Sequence, residues 1–216
     1  MSGYFVTGTD TGVGKTRISA MLIRALRAKG VDAVGMKPIC CGEREDSELL
    51  HAASGGAATL NSINPVWLRP PVAPYTASII EERIIDLALI RETFARLAAS
   101  HTSVIVEGAG GWLVPITRDY SIADLAADLA LPVIIVAANR LGAINHTRLT
   151  VAAVQASGLR CAGVILNHVH APAEDDPAVI TNRSILEDLL PVPILAEIEH
   201  GQAEMSSGDW LTPFAV

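Results

Sequence analysis

The sequence predicts an α/β fold: a mainly parallel sheet with helices on both faces, in a single domain spanning residues 1–216. Three observations lead there. Short apolar runs alternate with amphipathic helical patterns along the chain. Half of the residues are hydrophobic but only 4% are aromatic, so the core is one of Val, Ile, Leu and Ala. Strands buried on both faces then account for a mean hydropathy of +0.37. Finally, a glycine-rich turn, GTDTGVGKT at 8–16, joins an apolar run to a helical pattern.

The elements follow in order. Tyr4, Phe5 and Val6 form the first strand. Ile18, Met21, Leu22, Ala25 and Leu26 fall on one helical face, and Gly30 supplies the stop. A strand through Val34 to Lys37 ends at Pro38, and Asp46, Glu48, Leu49 and Leu50 suggest a short helix. Residues 64–75 contain four prolines and read as a long surface loop. A helix over 85–99 precedes the strand Ser103-Val104-Ile105-Val106, which ends at Glu107. Ser121 and Asp124 have capping-box spacing at the start of a helix through Leu129. Then come a strand at 132–138, a helix at 144–157 and a strand at 163–166. A helix capped by Asp176-Pro177 runs to Leu190, and a last strand covers 192–196.

Composition narrows the function classes. No apolar run approaches the ~20 residues that span a bilayer, so no membrane partner is expected. The first strand begins within a few residues of the start, leaving no room for a signal peptide. Cys40, Cys41 and Cys161 form no disulfide or metal framework, which fits a reducing, cytoplasmic setting. A formal net charge of −7 argues against nucleic acid as a partner. Anionic ligands must be held by local groups.

The 8–16 turn is such a group. Strand, glycine-rich turn and helix form the arrangement that cradles nucleotide phosphates on backbone N–H groups and a helix N-terminus. Gly12 and Gly14 allow close backbone approach around Val13, Lys15 can reach the β/γ-phosphates, and the Thr16 hydroxyl is placed for Mg²⁺. Where the usual pattern starts with glycine this chain has Thr9, with Gly8 one residue earlier, so the loop is a lengthened variant. In parallel sheets ligands bind beyond the carboxyl ends of the strands. Lys37, Glu107, Asn139 and Asn167 fall at such ends and should share one rim with the loop. Glu107 suits a Mg²⁺ ligand, with Asp46 able to complete the site, and Gly108-Ala109-Gly110-Gly111 allows a second close approach to ligand. Lys37 can steady charge on a transferred phosphoryl group. The amide of Asn167 can pair with the edge of adenine or simply end its strand. The helix opening at Gly142, Ala143, Ile144 and Asn145 can hold a carboxylate, or it simply initiates a helix. His168 and His170 have ligand spacing but lack a third partner.

Together YFVTGTDTGVGKT at 4–16, GMKPI at 35–39, VEGAGGW at 106–112, LPVIIV at 131–136 and LGAINHTRLT at 141–150 resemble the dethiobiotin synthase family over nearly the whole chain. The resemblance implies a P-loop NTPase-like fold and a homodimer. It implies that 7,8-diaminononanoate, CO2 and MgATP become dethiobiotin, ADP and phosphate in biotin biosynthesis. On this chain it implies Lys37 as catalytic lysine, assisted by Thr11 and Lys15. Thr16, Asp46 and Glu107 would hold Mg²⁺. Gly12, Val13, Gly14, Lys15 and Thr16, with Gly108, Ala109 and Gly110, would hold the nucleotide, and Asn167 beside His168 its adenine. Cys41 would face the substrate, and Gly142 to Asn145 would reach across the dimer to its carboxylate. The chain departs from the family at Gly12, Cys41, Asn182 and Glu199, none of which removes a group essential to the chemistry. Septum-placement and plasmid-partition ATPases share such a fold but carry a lysine early in the loop, where this chain has Asp10. Residues 206–210, SSGDW, likewise offer no amphipathic or basic tail of their kind.

Overall fold

The structure is a computed structural model in which residues 2–171 and 176–205 are described. The chain runs β1 (Ser2–Gly8), α1 (Lys15–Ala28), β2 (Ala33–Met36), β3 (Ile39–Cys41), α2 (Glu45–Ala53), α3 (Leu60–Ile63), β4 (Val66–Leu68), α4 (Pro74–Ile80) and α5 (Leu87–Ser100). It continues β5 (Ser103–Gly111), β6 (Pro115–Thr117), β7 (Tyr120–Ser121), α6 (Ile122–Leu129), β8 (Val133–Ala138), α7 (Ala143–Ala156), β9 (Cys161–Asn167), α8 (Pro177–Leu189) and β10 (Ile194–Ile198).

Six strands form one sheet in the order β10-β9-β8-β1-β5-β2, and every pairing in it is parallel. The strand side chains alternate between two apolar layers, as the period of two requires. Tyr4, Val6, Ile105, Ile134, Val136 and Ile165 pack with Ile18, Met21, Leu22 and Leu26 of α1 and Leu50 of α2. Phe5, Val104, Val106, Val133, Ile135 and Leu166 pack instead with residues of α4 to α8, among them Ala77, Ile90, Phe94, Leu125, Val151 and Leu186. Burial of the sheet on both faces is what the high hydropathy required. No described helix is long and apolar enough to cross a membrane.

Local chemistry sets the helix ends. The Ser121 side chain accepts from Asp124 N while the Asp124 carboxylate accepts from Ser121 N, the predicted capping box. Asp176 accepts from Ala178 N and Val179 N at the head of α8. Asp86 caps α5, so that helix starts at Leu87, two residues later than the sequence suggested.

Other expectations need correction. Residues 64–75 are not one irregular loop: β4 pairs parallel with β3, and α4 begins at Pro74, where the missing N–H costs nothing in a first turn. The organiser is Asn64, buried to 2% exposure, which donates to Lys37 O (2.9 Å) and Val66 O (2.8 Å) and so ties this stretch to the end of β2. Strand β5 does not end at Glu107 but continues to Gly111. Gly8 pairs with Gly111 after a register shift in β1, and a side chain at Gly108 would press on Phe5 and Ile122. The last strand lies two residues beyond the predicted 192–196. Trp112 is buried against Phe5 in an edge-to-face contact (centroids 6.2 Å apart), so it belongs to the core.

Candidate active site

The 8–16 turn lies between the end of β1 and the start of α1. Gly14 stands just before the helix with φ of 90°, a left-handed conformation that favours glycine, and a Cβ there would collide with Asn167 Nδ2. Lys15 is buried, and its ammonium donates to Asp10 O (3.1 Å). Burial lowers its pKa to about 8, with Glu107 acting against that shift and Lys37 adding to it.

Lys37, one residue past β2, is held at both ends of its backbone unit. Its N–H donates to Ile63 O (2.8 Å) and its carbonyl accepts from Asn64. Its ammonium donates to Glu107 Oε1 (2.5 Å) and to Asp46 Oδ2 (2.7 Å). Glu107 is fully buried and Lys37 nearly so, whereas the Asp46 side chain is 45% exposed. Burial alone would lower the Lys37 pKa, but the two carboxylates outweigh it and hold it above its usual value. The same contact works on Asp46. Burial would raise its pKa, and Lys37 with Thr16 brings it below the usual range. Thr16 Oγ1 lies 2.8 Å from Asp46 Oδ1 and 2.9 Å from Glu107 Oε1, with one proton to share between them.

These groups line one cavity of about 640 Å³. Among the predicted residues it brings together Thr11, Gly12, Gly14, Lys15, Thr16, Lys37, Cys41, Asp46, Glu107, Ala109 and Gly110. Cys40 and residues 71–74 also line it, the latter from the stretch read as loop. Their contribution depends on the β3–β4 pairing, for which the sequence gives no local signal. Burial, followed by the neighbouring Cys40, raises the Cys41 thiol pKa to about 11.

Several predicted residues lie outside this cavity. Val13 is buried, and its carbonyl accepts from Asn167 Nδ2 (2.8 Å). Gly108 is packed against Phe5 and Ile122. Asn167 is only 1% exposed, and its Oδ1 accepts from Arg17 (2.8 Å). His168 belongs to a separate polar cluster: its Nε2 lies 2.8 Å from Glu197 Oε1 and 3.2 Å from Asn139 Nδ2. His168, Glu197 and Glu199 are close enough to hold a cation, but Nε2 is engaged with Glu197 and only Nδ1 faces Glu199, at 3.9 Å. Asn182 donates to Asn139 Oδ1 and Arg140 O, joining α8 to the end of β8. The predicted rim is therefore split. Lys37 and Glu107 lie on one side of the phosphate loop, and Asn139 and His168 form their own network. Gly142 stands before α7 with φ of 93°, and residues 142–145 do not reach the cavity.

A family model described as an AAA domain matches residues 2–204. The chain is 45% identical over 205 residues to the ATP-dependent dethiobiotin synthetase BioD of Akkermansia muciniphila, covering 95% of each. It is 51% identical over 186 residues to the protein of that name from Anaeromyxobacter dehalogenans, covering 84% of this chain and 82% of the relative. The chain belongs to the dethiobiotin synthetase family. Its fold is that of the P-loop NTPases. The septum site-determining protein MinD of Pyrococcus horikoshii, solved with Mg-ADP, matches with a TM-score of 0.56 over 91% of this chain and 81% of that one. At 17% identity that likeness concerns the fold alone. This member of the dethiobiotin synthetase family carries Asp10 in its phosphate loop, where its Oδ2 lies 3.5 Å from Arg140 Nη2.

Proposed function

We propose that this protein is an ATP-dependent cyclo-ligase that converts 7,8-diaminononanoate and CO2 into dethiobiotin, with ADP and phosphate as co-products, in biotin biosynthesis. Its family relatives carry that enzyme's name, and one observation in this chain carries the chemistry. A buried ammonium, Lys37, is fixed between two carboxylates in the cavity that the phosphate loop opens into. The reading takes residues 1–216 as one domain.

The chemistry asks for three events in one dry pocket. One substrate amine adds to CO2 and loses a proton, giving a carbamate. A carbamate oxygen then attacks the γ-phosphorus of ATP, ADP leaves, and a carbamic–phosphoric anhydride results. The second amine attacks its carbonyl carbon and gives up a proton, phosphate departs with the C–O bond electrons, and the cyclic urea closes. Negative charge builds on oxygen throughout, and Lys37, Lys15 and the N–H groups of the turn are the fixed donors for it. Thr11, exposed at the cavity edge, assists there, and Gly12, Gly14, Lys15 and Thr16 with Ala109 and Gly110, all lining the cavity, hold the triphosphate, while Val13 and Gly108 back them from outside it. Cys41 borders the diamine. Asn167, with His168 next to it, meets the adenine.

The residues present suit Mg²⁺. Thr16 offers a hydroxyl, Asp46 and Glu107 offer carboxylates, and Glu107 Oε2 is buried with no hydrogen-bond partner among the described residues. These are hard oxygen ligands beside a triphosphate site. A bound Mg²⁺ would neutralise phosphate charge.

Residues 142–145 lie away from the cavity of their own chain, which supports a homodimer in which Gly142, Ala143, Ile144 and Asn145 of one copy meet the substrate carboxylate held by the other. The decisive experiment measures phosphate release from ATP with and without the diamine and bicarbonate, with dethiobiotin identified as product. ATP turnover that ignores the diamine would sink this reading.

A further inference from the structure

We propose that Arg17 occupies the subsite that receives the nucleotide base, and that a base bearing an amino group displaces it on binding. The proposal rests on the reading of Asn167 as the base contact.

Arg17 lies in the first turn of α1, directly after Thr16. Its Nη1 donates to Asn167 Oδ1 (2.8 Å), and its Nη2 donates to Glu199 O (2.7 Å) and Gln202 O (2.6 Å). Three acceptors thus converge on one planar cation. They come from the last residue of β9 and the turn after β10, at the carboxyl ends of neighbouring strands, where ligands of parallel sheets bind. Asn167 cannot be reached from its other flank. Its Nδ2 donates to Val13 O and lies so close to Gly14 that even a methyl group there would collide with it. While Arg17 is in place Asn167 is 1% exposed, so a base can read the amide only after the guanidinium has moved.

The turn that Arg17 touches does not depend on it for its shape. Glu199 N donates to Gln202 Oε1 (3.0 Å) and Gln202 N donates to Glu199 O (3.1 Å). Withdrawal of Arg17 therefore leaves a slot with an acceptor-rich wall: Asn167 Oδ1 and the two carbonyls. A planar group with N–H donors suits that wall, and the exocyclic amine of adenine is one. A keto base would set its oxygen against an acceptor where the amine of adenine would donate. Arg17, a charged fork matched to the same acceptors, is an internal competitor that keeps the empty slot satisfied and lowers apparent nucleotide affinity.

The test compares dissociation constants for ATP, ITP (in which the amine is replaced by a keto oxygen) and inorganic tripolyphosphate. The proteins are the full chain and its Arg17→Ala, Arg17→Lys and Asn167→Ala variants, each checked for an unchanged melting profile. Tripolyphosphate corrects for the loss of a cation near the phosphates. In Arg17→Ala the affinity for ATP relative to tripolyphosphate should rise about tenfold, the worth of one charge-assisted hydrogen bond. The preference for ATP over ITP should widen with it, and Arg17→Lys, which cannot fork to three acceptors, should fall between. An unchanged or lower ratio in both Arg17 variants overturns the proposal. Asn167→Ala separates the two readings. If it keeps the full preference for ATP over ITP, Asn167 is no base contact and both ideas fall. If it loses that preference while the Arg17 variants match the parent, only the role of Arg17 falls.

Discussion

Replacing Lys37 with methionine keeps most of the side-chain volume and removes the ammonium, and the structure sets the size of the result. Glu107 is fully buried and Lys37 Nζ is 2.5 Å from its Oε1. The variant leaves that carboxylate in the interior with Thr16 as its one remaining hydrogen-bond donor among the described residues. Breaking a buried pair from one side costs roughly 3–5 kcal/mol, because an uncompensated charge stays behind. In a chain of this length that lowers the melting temperature by about 6–20 °C. Asp46, nearly half exposed, contributes little to that figure, since water can replace its partner. The assay is thermal melting in a chelator, so that no divalent cation stands in for the lost ammonium. Adding Glu107→Gln to the variant removes the stranded charge and should restore a large part of the loss. Turnover should fall by about 10²–10³, the usual effect of deleting one donor to developing charge, while ATP still binds. A melting point within about 2 °C of the parent, or a double variant no more stable than the single one, would refute the argument.

The other predictions are shorter. Asn64→Ala strands Lys37 O and Val66 O, so urea denaturation should show a loss of about 2–4 kcal/mol, and turnover should fall with it because the backbone of Lys37 is released. Thr16→Val keeps the shape but removes the hydroxyl between Asp46 and Glu107, so the Mg²⁺ concentration for half-maximal activity should rise; an unchanged requirement removes Thr16 from the metal site. Burial raises the Cys41 and Cys161 thiols from 9.0 to about 11, which leaves about 100-fold less thiolate at pH 8. Alkylation of the folded protein at pH 8 should be slower than that of the urea-unfolded chain by a similar factor. The sign for stability follows: with folded pKa values above the unfolded ones, the two thiols' contribution is full below pH 9 and is lost as pH rises through 11. Melting points should decline across that window, and a rise there would contradict the assigned burial.

What the sequence revealed of this site divides by the range of the forces involved. The phosphate loop was legible because its function is written in consecutive residues. Gly12 and Gly14, both at positive φ, meet a backbone demand that a reader can recognise locally. Helix caps at Ser121 and Asp176 were legible for the same reason. The meeting of Lys37, Glu107 and Asp46 at one site was visible too, but their direct ion pairing was not, since the carboxylates lie 9 and 70 residues away. Residues 64–75 misled because proline content argues against regular structure, while the pairing of β3 with β4 hangs on the long-range bonds of Asn64. The glycines at 108, 110 and 111 looked like a strand end. They continue the strand because small residues are what the approach of Phe5 and Val114 allows. The role of Asn167 could not be weighed at all without Arg17, whose three acceptors come from segments 150 to 185 residues distant.

The Lys37 cluster is hard to account for as a stabilising device. A buried ion pair is often no better for stability than apolar residues of equal volume, because desolvation offsets the attraction. This one sits beside a cavity, shares Thr16 between two carboxylates, and leaves Glu107 Oε2 without a donor among the described residues. A cluster selected for stability would close that last valence. The proposed Mg²⁺ role accounts for the arrangement: Glu107 Oε1 accepts from Lys37 and Thr16, and Oε2, which accepts from none of the described residues, is the oxygen the ion would use. The same logic applies at the other end of the loop, where Arg17 fills acceptors that a ligand could take over. In both places the polar groups are held in arrangements that suit exchange of a partner, one through a carboxylate oxygen that no described donor meets and one through a substitute donor.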